Sequence, residues 1–230
     1  MDESRHLASI GRLLGSDARS AMLDLLMDGT HHAASELANE AGVAPSTASA
    51  HLSALVEGGL VTVDRHGRQR HFRLEGPAVA RALETLGGLA AAPASISSLR
   101  ESIARRQLAT ARTCYDHLAG RLGVAIADAL VKRGALLSKD GVFTVSEARE
   151  LLISRIGIDV DELRKARRAL VLSCSDWTEG RPHVAGALGR ALSALFLESG
   201  WIRRRGGTRA VALTESGAAW LREHLGVELR

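Results

Sequence analysis

The sequence predicts a mainly α-helical protein punctuated by short β-hairpins. Three observations carry that prediction. Leu and Ala are abundant while aromatics make up only 3% of 230 residues, a composition suited to helical cores. Apolar residues recur at three- and four-residue spacing through most of the chain. Short β-prone runs turn at His66-Gly67, at Asp140-Gly141 and at the Gly-Gly of residues 206–207. No apolar run reaches the roughly 18 residues of a membrane span, and MDESRHLASI lacks a signal-peptide pattern. A cytoplasmic protein with reduced thiols and no membrane partner is expected. Two cysteines cannot build a disulfide framework.

The elements follow in order. Leu7, Ile10, Leu13 and Leu14 mark a first helix. Ser16 or Asp17 caps a second, which stops near Gly29. Ser35 caps a short third helix ending at Gly42, and Pro45-Ser46 start a fourth. After Gly59, LVTVDRHGRQRHFRL reads as two strands about a turn at His66-Gly67. Helices followed by a basic hairpin is the order of a winged helix-turn-helix.

The chemistry of this third of the chain points to nucleic acid. Ala48, Leu52 and Leu55 share one face of the fourth helix and should pack inward. Ser46, Thr47 and Ala50 then project outward near its N-terminus, an end able to enter a major groove, with Ser49 and His51 beside them. The hairpin tip gathers Arg65, Arg68, Gln69 and Arg70, placed to reach backbone phosphate or a minor groove. Through residue 76 there are seven Arg, no Lys and ten acids, so this basic cluster sits on an otherwise acidic unit. The pI of the whole chain is therefore a poorer guide than the cluster.

The run ELANEAGVAPSTASAHLSALVEGGLV, followed by RHGRQRHFRL, resembles the ArsR-type family of bacterial winged-helix repressors over about residues 5 to 90. That resemblance implies a homodimer on an inverted-repeat DNA operator, with a metal or small-molecule effector that changes affinity. It implies a DNA-reading helix from Pro45 to Glu57 and a wing from Val61 to Leu74. The two familiar metal sites of the family are absent. The third helix, SELANEAG, has no Cys-x-Cys, and PAVARALETLGG after the wing has neither Asp nor His. His31 and His32 read as solvent-exposed loop residues. Any sensing must lie elsewhere.

AAPAS, residues 91 to 95, reads as a break. The expected organisation is a DNA-binding domain over 1–90, a linker and dimerisation helix over 91–112, and a C-terminal sensor domain over 113–230. SSLRESIARRQLATARTCYDHLAGRLG reads as one long helix. ALLSKDGVFTV reads as a hairpin, Ser146 and then Asp159 or Asp161 cap two more helices, and Pro182 starts another. A Gly-Gly hairpin and a helix capped by Thr214 close the chain. "LSALFLESGWI" echoes "LSALVEGGLV", so a degenerate second winged helix is one form the C-terminal domain can take.

A second echo concerns chemistry. "CYDHLAGRLG" at 114–123 returns as "CSDWTEGRPHVAGALG" at 174–189, with six residues inserted, and each of the two cysteines opens one copy. On the expected helix Cys114 and His117 would be neighbours on one face. With Cys174 and His183, the latter beside a helix N-terminus, they make a possible Cys2His2 zinc set if the two copies meet. Three alternatives stay open: thiol chemistry at the cysteines, an organic-ligand pocket walled by Tyr115, Trp177 and Trp201, or plain packing of small residues and buried cysteine.

The function expected is that of a sequence-specific DNA-binding regulator, a homodimeric repressor whose operator affinity is set through the C-terminal domain. The alternative is a protein-interaction module on the same scaffold without DNA binding, which the acidic balance before residue 77 would suit. No Gly-rich nucleotide loop, nucleophile elbow or HExxH suggests an enzyme.

Overall fold

A computed structural model describes residues 3–66, 69–89, 99–146, 150–206 and 208–229. The chain divides into two compact units, Met1–Ala80 and Arg81–Arg230.

The first unit runs α1 (Glu3–Leu14), α2 (Asp17–Leu26), β1 (His32–Ala33), α3 (Ala34–Glu40), α4 (Pro45–Glu57), β2 (Val61–His66) and β3 (Gln69–Leu74). Ser16 caps α2 by accepting from the Arg19 N–H. Pro45 opens α4 where its missing N–H costs nothing. Met22, Leu26, Leu37, Ala48, Leu52, Leu55 and Phe72 are almost fully buried and form the core. The sheet is antiparallel in the order β1-β3-β2, with Val63 opposite Phe72 and Arg65 opposite Arg70.

Two expectations are corrected here. β1 was not foreseen, because two residues carry no periodicity and the strand exists only by pairing with β3. It feeds straight into α3, so Ala33 rather than Ser35 takes the N-cap position, and the Glu36 carboxylate accepts the Ala33 N–H at 2.8 Å. His31 is exposed as expected, but His32 is not: its Nε2 lies 3.1 Å from Asp28 Oδ2, and its side chain is 15% exposed.

Helix α5 (Pro77–Leu89) follows β3 and crosses the boundary between the units along the chain. The second unit then holds α6 (Leu99–Thr110), β4 (Arg112–Cys114), β5 (His117–Ala119), α7 (Gly120–Lys132), β6 (Leu136–Lys139), β7 (Val142–Val145), α8 (Glu150–Ser154) and α9 (Val160–Arg164). It ends with β8 (Leu172–Ser175), β9 (Pro182–Ala185), α10 (Gly186–Glu198), β10 (Ile202–Arg204), β11 (Val211–Leu213), α11 (Glu215–Trp220) and one π-helical turn, Leu221–Leu225. Hairpin, helix, hairpin, helix thus occurs twice, as β4-β5-α7-β6-β7-α8 and as β8-β9-α10-β10-β11-α11. The helix-then-hairpin order expected at LSALFLESGWI is present at α10, but a hairpin, not a helix, precedes it.

The long helix expected through residue 123 breaks after Thr110. Tyr115 and Gly120 both have positive φ, which a right-handed helix cannot accommodate, and a Cβ on Gly120 would lie 2.8 Å from the Ala109 carbonyl oxygen. Two-residue alternation in a three-residue strand is invisible beside the helical spacing of Thr110, Cys114 and Leu118. For the same reason Cys174 and Pro182 stand on strands rather than on helices. Asp159 caps α9 as expected, and Thr214 caps α11. Residues 147–149, which the Ser146 cap was to begin, lie outside the described residues. The Asp140-Gly141 turn is present, both residues having positive φ.

Each first helix of a repeat packs on the other repeat. A Cβ at Gly123 would lie 2.3 Å from the Leu118 carbonyl oxygen and 3.4 Å from His183 Cβ. A Cβ at Gly189 would lie 2.3 Å from Val184 O and 3.1 Å from His117 Cβ. The final Gly of each A-G-x-L-G is therefore what lets α7 and α10 reach each other's histidine strand. Leu118, Leu122, Ile126, Val184, Leu188, Leu192 and Phe196 fill the core between them.

Candidate functional site

Two surfaces carry the chemistry. On α4, Pro45, Ser46, Thr47 and Ala50 are exposed, Ser49 and His51 are half-buried, and Ala48, Leu52 and Leu55 are buried, as the helical spacing requires. Arg65, Gln69 and Arg70 are exposed on the β2-β3 wing. Arg68 lies outside the described residues. The register places Arg65 directly opposite Arg70, so two cations share one face of the ribbon. Like charges in direct opposition destabilise a hairpin unless an anion lies between or beside them. Arg70 also donates to Ser49 Oγ at 3.1 Å, which ties the wing to the fourth helix. Arg73, by contrast, is paired with Asp64 within the wing. His51 meets Arg19 through Nδ1 at 3.2 Å, so part of its hydrogen-bonding capacity is used within the unit.

The second surface is internal. Cys114 pairs across its hairpin with His117, and Cys174 pairs across its hairpin with His183. The two hairpins meet, and the four side chains converge: Sγ to Sγ is 3.9 Å, Nε2 to Nε2 is 3.1 Å, and all four donor atoms lie within 4.8 Å of one another. All four residues are buried. The six residues inserted in the second copy lengthen only the β8-β9 turn, so they do not disturb this meeting.

The distances select among uses of these groups. A disulfide needs sulfurs at about 2.05 Å, and both cysteines are free. Four ligands of one tetrahedral zinc, at about 2.3 Å for sulfur and 2.05 Å for nitrogen, would be spaced at roughly 3.8 Å (S to S) and 3.3 Å (N to N). The observed separations are close to those edges. Two thiolates, two neutral imidazoles and one divalent cation also sum to zero charge, which suits a buried site.

The carboxylates of the repeated motif complete the arrangement. Asp116 Oδ1 lies 3.2 Å from His117 Nδ1, and Asp176 Oδ2 lies 3.2 Å from His183 Nδ1, the latter angled off the hydrogen-bond direction. A carboxylate beside each Nδ1 favours the tautomer with its proton there and leaves both Nε2 lone pairs aimed at one another. Only a proton or a metal relieves that opposition. Accordingly, burial works against charge on both imidazoles, yet Cys114 and Asp116 outweigh it at His117, and Asp176 and Cys114 outweigh it at His183, so both are raised. The neighbouring Cys174 thiol and burial push the Cys114 thiol up to about 12.

Beyond these, Asp116 Oδ2 accepts from Arg168 at 2.7 Å, with both side chains partly exposed. Asp176 is wholly buried; it accepts from the Gly120 N–H at 2.6 Å and from Thr178, and lies 3.1 Å from Arg112 Nη2. Arg112 also bonds Glu84 of α5, and Arg209 bonds the other Glu84 oxygen at 3.0 Å. Sequence reading missed Glu84, and it put Arg112 on a solvated helix face and Arg209 on an exposed hairpin, whereas both are buried; Asp116 and Asp176 were visible there only as the last letter of C-x-D.

The three aromatic residues named as pocket walls stand in different surroundings. Tyr115 is a turn residue of β4-β5, while Trp177 lies against Gly88 with the Arg112 guanidinium 5.0 Å over its ring. Trp201 stacks on Trp220 at 4.2 Å in the core. The cavity lined by Leu118, Gly123, Ile126, Val184, Gly189 and Leu192 measures about 10 Å³, too small for an organic ligand.

Residues 14–64 match a family model described as a helix-turn-helix domain. The chain is 44% identical over 225 residues to the HTH-type transcriptional regulator YdfF of Bacillus subtilis (strain 168), covering 97% of this chain and 99% of that protein. It is 33% identical over 158 residues to the HTH-type transcriptional regulator Rv0324 of Mycobacterium tuberculosis (strain ATCC 25618 / H37Rv), covering 58% and 69%. Among solved structures it is similar to a homodimeric winged helix-turn-helix DNA-binding domain (fragment 1-100) from Mycobacterium bovis, described as a possible ArsR-family regulator. That match has 34% identity, a TM-score of 0.35, and covers 37% of this chain and 78% of that one. The chain belongs to the HTH-type transcriptional regulators, and it is a DNA-binding transcriptional regulator. No helix among the described residues is long and apolar enough to cross a membrane.

Proposed function

We propose that the protein is a cytoplasmic, homodimeric repressor of the ArsR type that acts by binding rather than catalysis. Ser46, Thr47 and Ala50 of α4 read base edges in the major groove, with Pro45, Ser49 and His51 beside them. Arg65, Arg68, Gln69 and Arg70 of the wing hold phosphate or enter the minor groove. The observation that supports this reading is the pairing of an exposed, small-residue helix N-terminus with two arginines facing each other across the wing. Exposed Leu99 and Ile103, one turn apart on α6, suit a contact with a second copy.

We further propose that Cys114, His117, Cys174 and His183 hold one zinc ion per chain and that its presence changes operator affinity. The zinc would carry charge and fix geometry; the chain's own carboxylates orient its imidazoles. A gel-shift titration on duplexes selected from random DNA tests the first part. Arg68→Ala with Arg70→Ala should weaken binding to all duplexes, and unchanged affinity would remove the wing from the interface. Metal analysis of protein purified without chelator tests the second. One zinc per chain is expected, and metal-free protein with an intact fold would refute it.

A further inference from the structure

The two repeats are alike at the metal ligands and unlike one step further out. On one side Asp116 leads to Arg168, whose side chain is 25% exposed, and the chain of contacts ends at the surface. On the other side His183, Asp176, Arg112 and Glu84 follow one another with no exposed side chain among them. Burying that many charges is costly, and a metal site needs no more than an oriented imidazole. The first side shows what suffices for that. The second side goes on to a helix.

That helix is α5. It begins three residues after the end of the last wing strand, Leu74, and carries Glu84 seven residues on from its first residue, Pro77. Glu84 has both carboxylate oxygens engaged, one by Arg112 and one by Arg209, and the two arginines hold it well below the usual carboxylate range against the effect of burial. Trp177, the residue after Asp176, stacks on Arg112 and lies against Gly88 of the same helix. A shift of Asp176 therefore moves both the Arg112 charge that meets Glu84 and the Trp177 backbone that lies against Gly88.

We propose that Glu84 is a positioning residue of the metal centre, and that through Arg112 and Asp176 zinc occupancy fixes α5 and so alters the DNA-reading unit to which α5 is joined. This rests on the reading of the Cys/His cluster as a zinc site that modulates DNA binding. With zinc bound, both imidazoles are neutral and held, and Asp176 is aligned on His183 and Arg112. Without zinc, the two Nε2 atoms must separate or share a proton, and Asp176 loses that alignment. Coupling of this kind is a free-energy difference, and a two-state element that both sites bias is sufficient to carry it.

The test uses the full chain, zinc alone as the added metal, and a duplex selected from random DNA by the zinc-loaded protein. Wild type should change its DNA affinity by about 5- to 150-fold between zinc-free and zinc-saturated states. Glu84→Gln should still bind one zinc per chain, with the ratio of the two DNA affinities falling to near one. The double variant Glu84→Gln with Arg209→Gln removes one charge of each sign, and the same loss is expected if the single variant does not fold. Arg168→Gln should weaken zinc by about 10- to 100-fold, the usual cost of losing such a partner, yet keep the full ratio at saturating zinc. A full ratio in the folded Glu84 variants overturns the inference alone. So does an Arg168 variant that loses the ratio as completely as Glu84→Gln does. A wild type that binds zinc with no change in DNA affinity overturns the modulating role, and one that binds no zinc overturns the cluster reading itself.

Discussion

At the residue scale, three groups of side chains make separate demands. Ser46 and Thr47 stand exposed at the start of α4. Replacing either with Ala should change which base is preferred at one operator position, by about 1–3 kcal/mol, as read by binding to a library of single-base variants. The Asp28–His32 pair offers a pH test. The Asp28 hydrogen bond raises the His32 imidazole above its ordinary 6.5, and burial, which raises Asp28, is outweighed by His32 and Thr30 so that the carboxyl is lowered. His32 therefore stabilises the fold fully below pH 6.5 and loses that share as pH climbs through its higher folded value. Asp28 stabilises above its unfolded value of 3.8 and loses that share on acidification. The pair contributes most between about pH 4 and 6.5. Raising pH from 5.5 to 8.5 should cost the first unit about 0.5–1 kcal/mol in chemical denaturation, and His32→Asn should flatten that change. At the cluster the direction is set by the thiols. The Cys174 thiol and burial hold Cys114 up at about 12, so on the zinc reading the metal must displace its proton. Apparent zinc affinity should fall at least about tenfold per pH unit on acidification, measured by competition with a chromogenic chelator.

At the element scale, the meaning of the repeated motif lies in its glycines. Gly189 has no room for a Cβ beside Val184 O and His117. Gly189→Ala should cost the second unit about 1–3 kcal/mol and weaken zinc, while Ser53→Ala, on the exposed face of α4, should do neither. Calorimetry with metal analysis on the same samples distinguishes the two. The helices of the first unit were legible in the sequence, though β1 was not, because α2 and α4 are long enough for a 3.6-residue period to show and because Pro45 and Gly42 punctuate them. The strands that carry Cys114 and Cys174 were not, since three or four residues hold no readable period and their neighbours happen to continue a helical spacing. The four candidate ligands were still legible, because a recurring C-x-D and H-x-A-G survives any error about which element bears it. What could not be read was the cross-strand pairing that makes Cys and His opposite neighbours, or Glu84, which lies thirty residues before Cys114 and carries no local mark.

At the scale of the whole molecule, two compact units should unfold by two transitions. Zinc binds only the folded second unit on this reading, so removing it with chelator should lower that transition and leave the other. A loss of about 3 kcal/mol would appear as roughly 6–12 °C for a unit of this size. A single transition that chelator does not move would count against the zinc reading. The arrangement of ligands also has a consequence while the chain is being made. His183, the last of the four, is added sixty-six residues after His117, long after the whole of the DNA-reading unit has been synthesised. Units fold in the order in which they emerge from the ribosome. On the zinc reading, a newborn chain therefore has its whole DNA-reading unit before it is able to close the four-ligand site, and in a cell short of zinc that interval would never end.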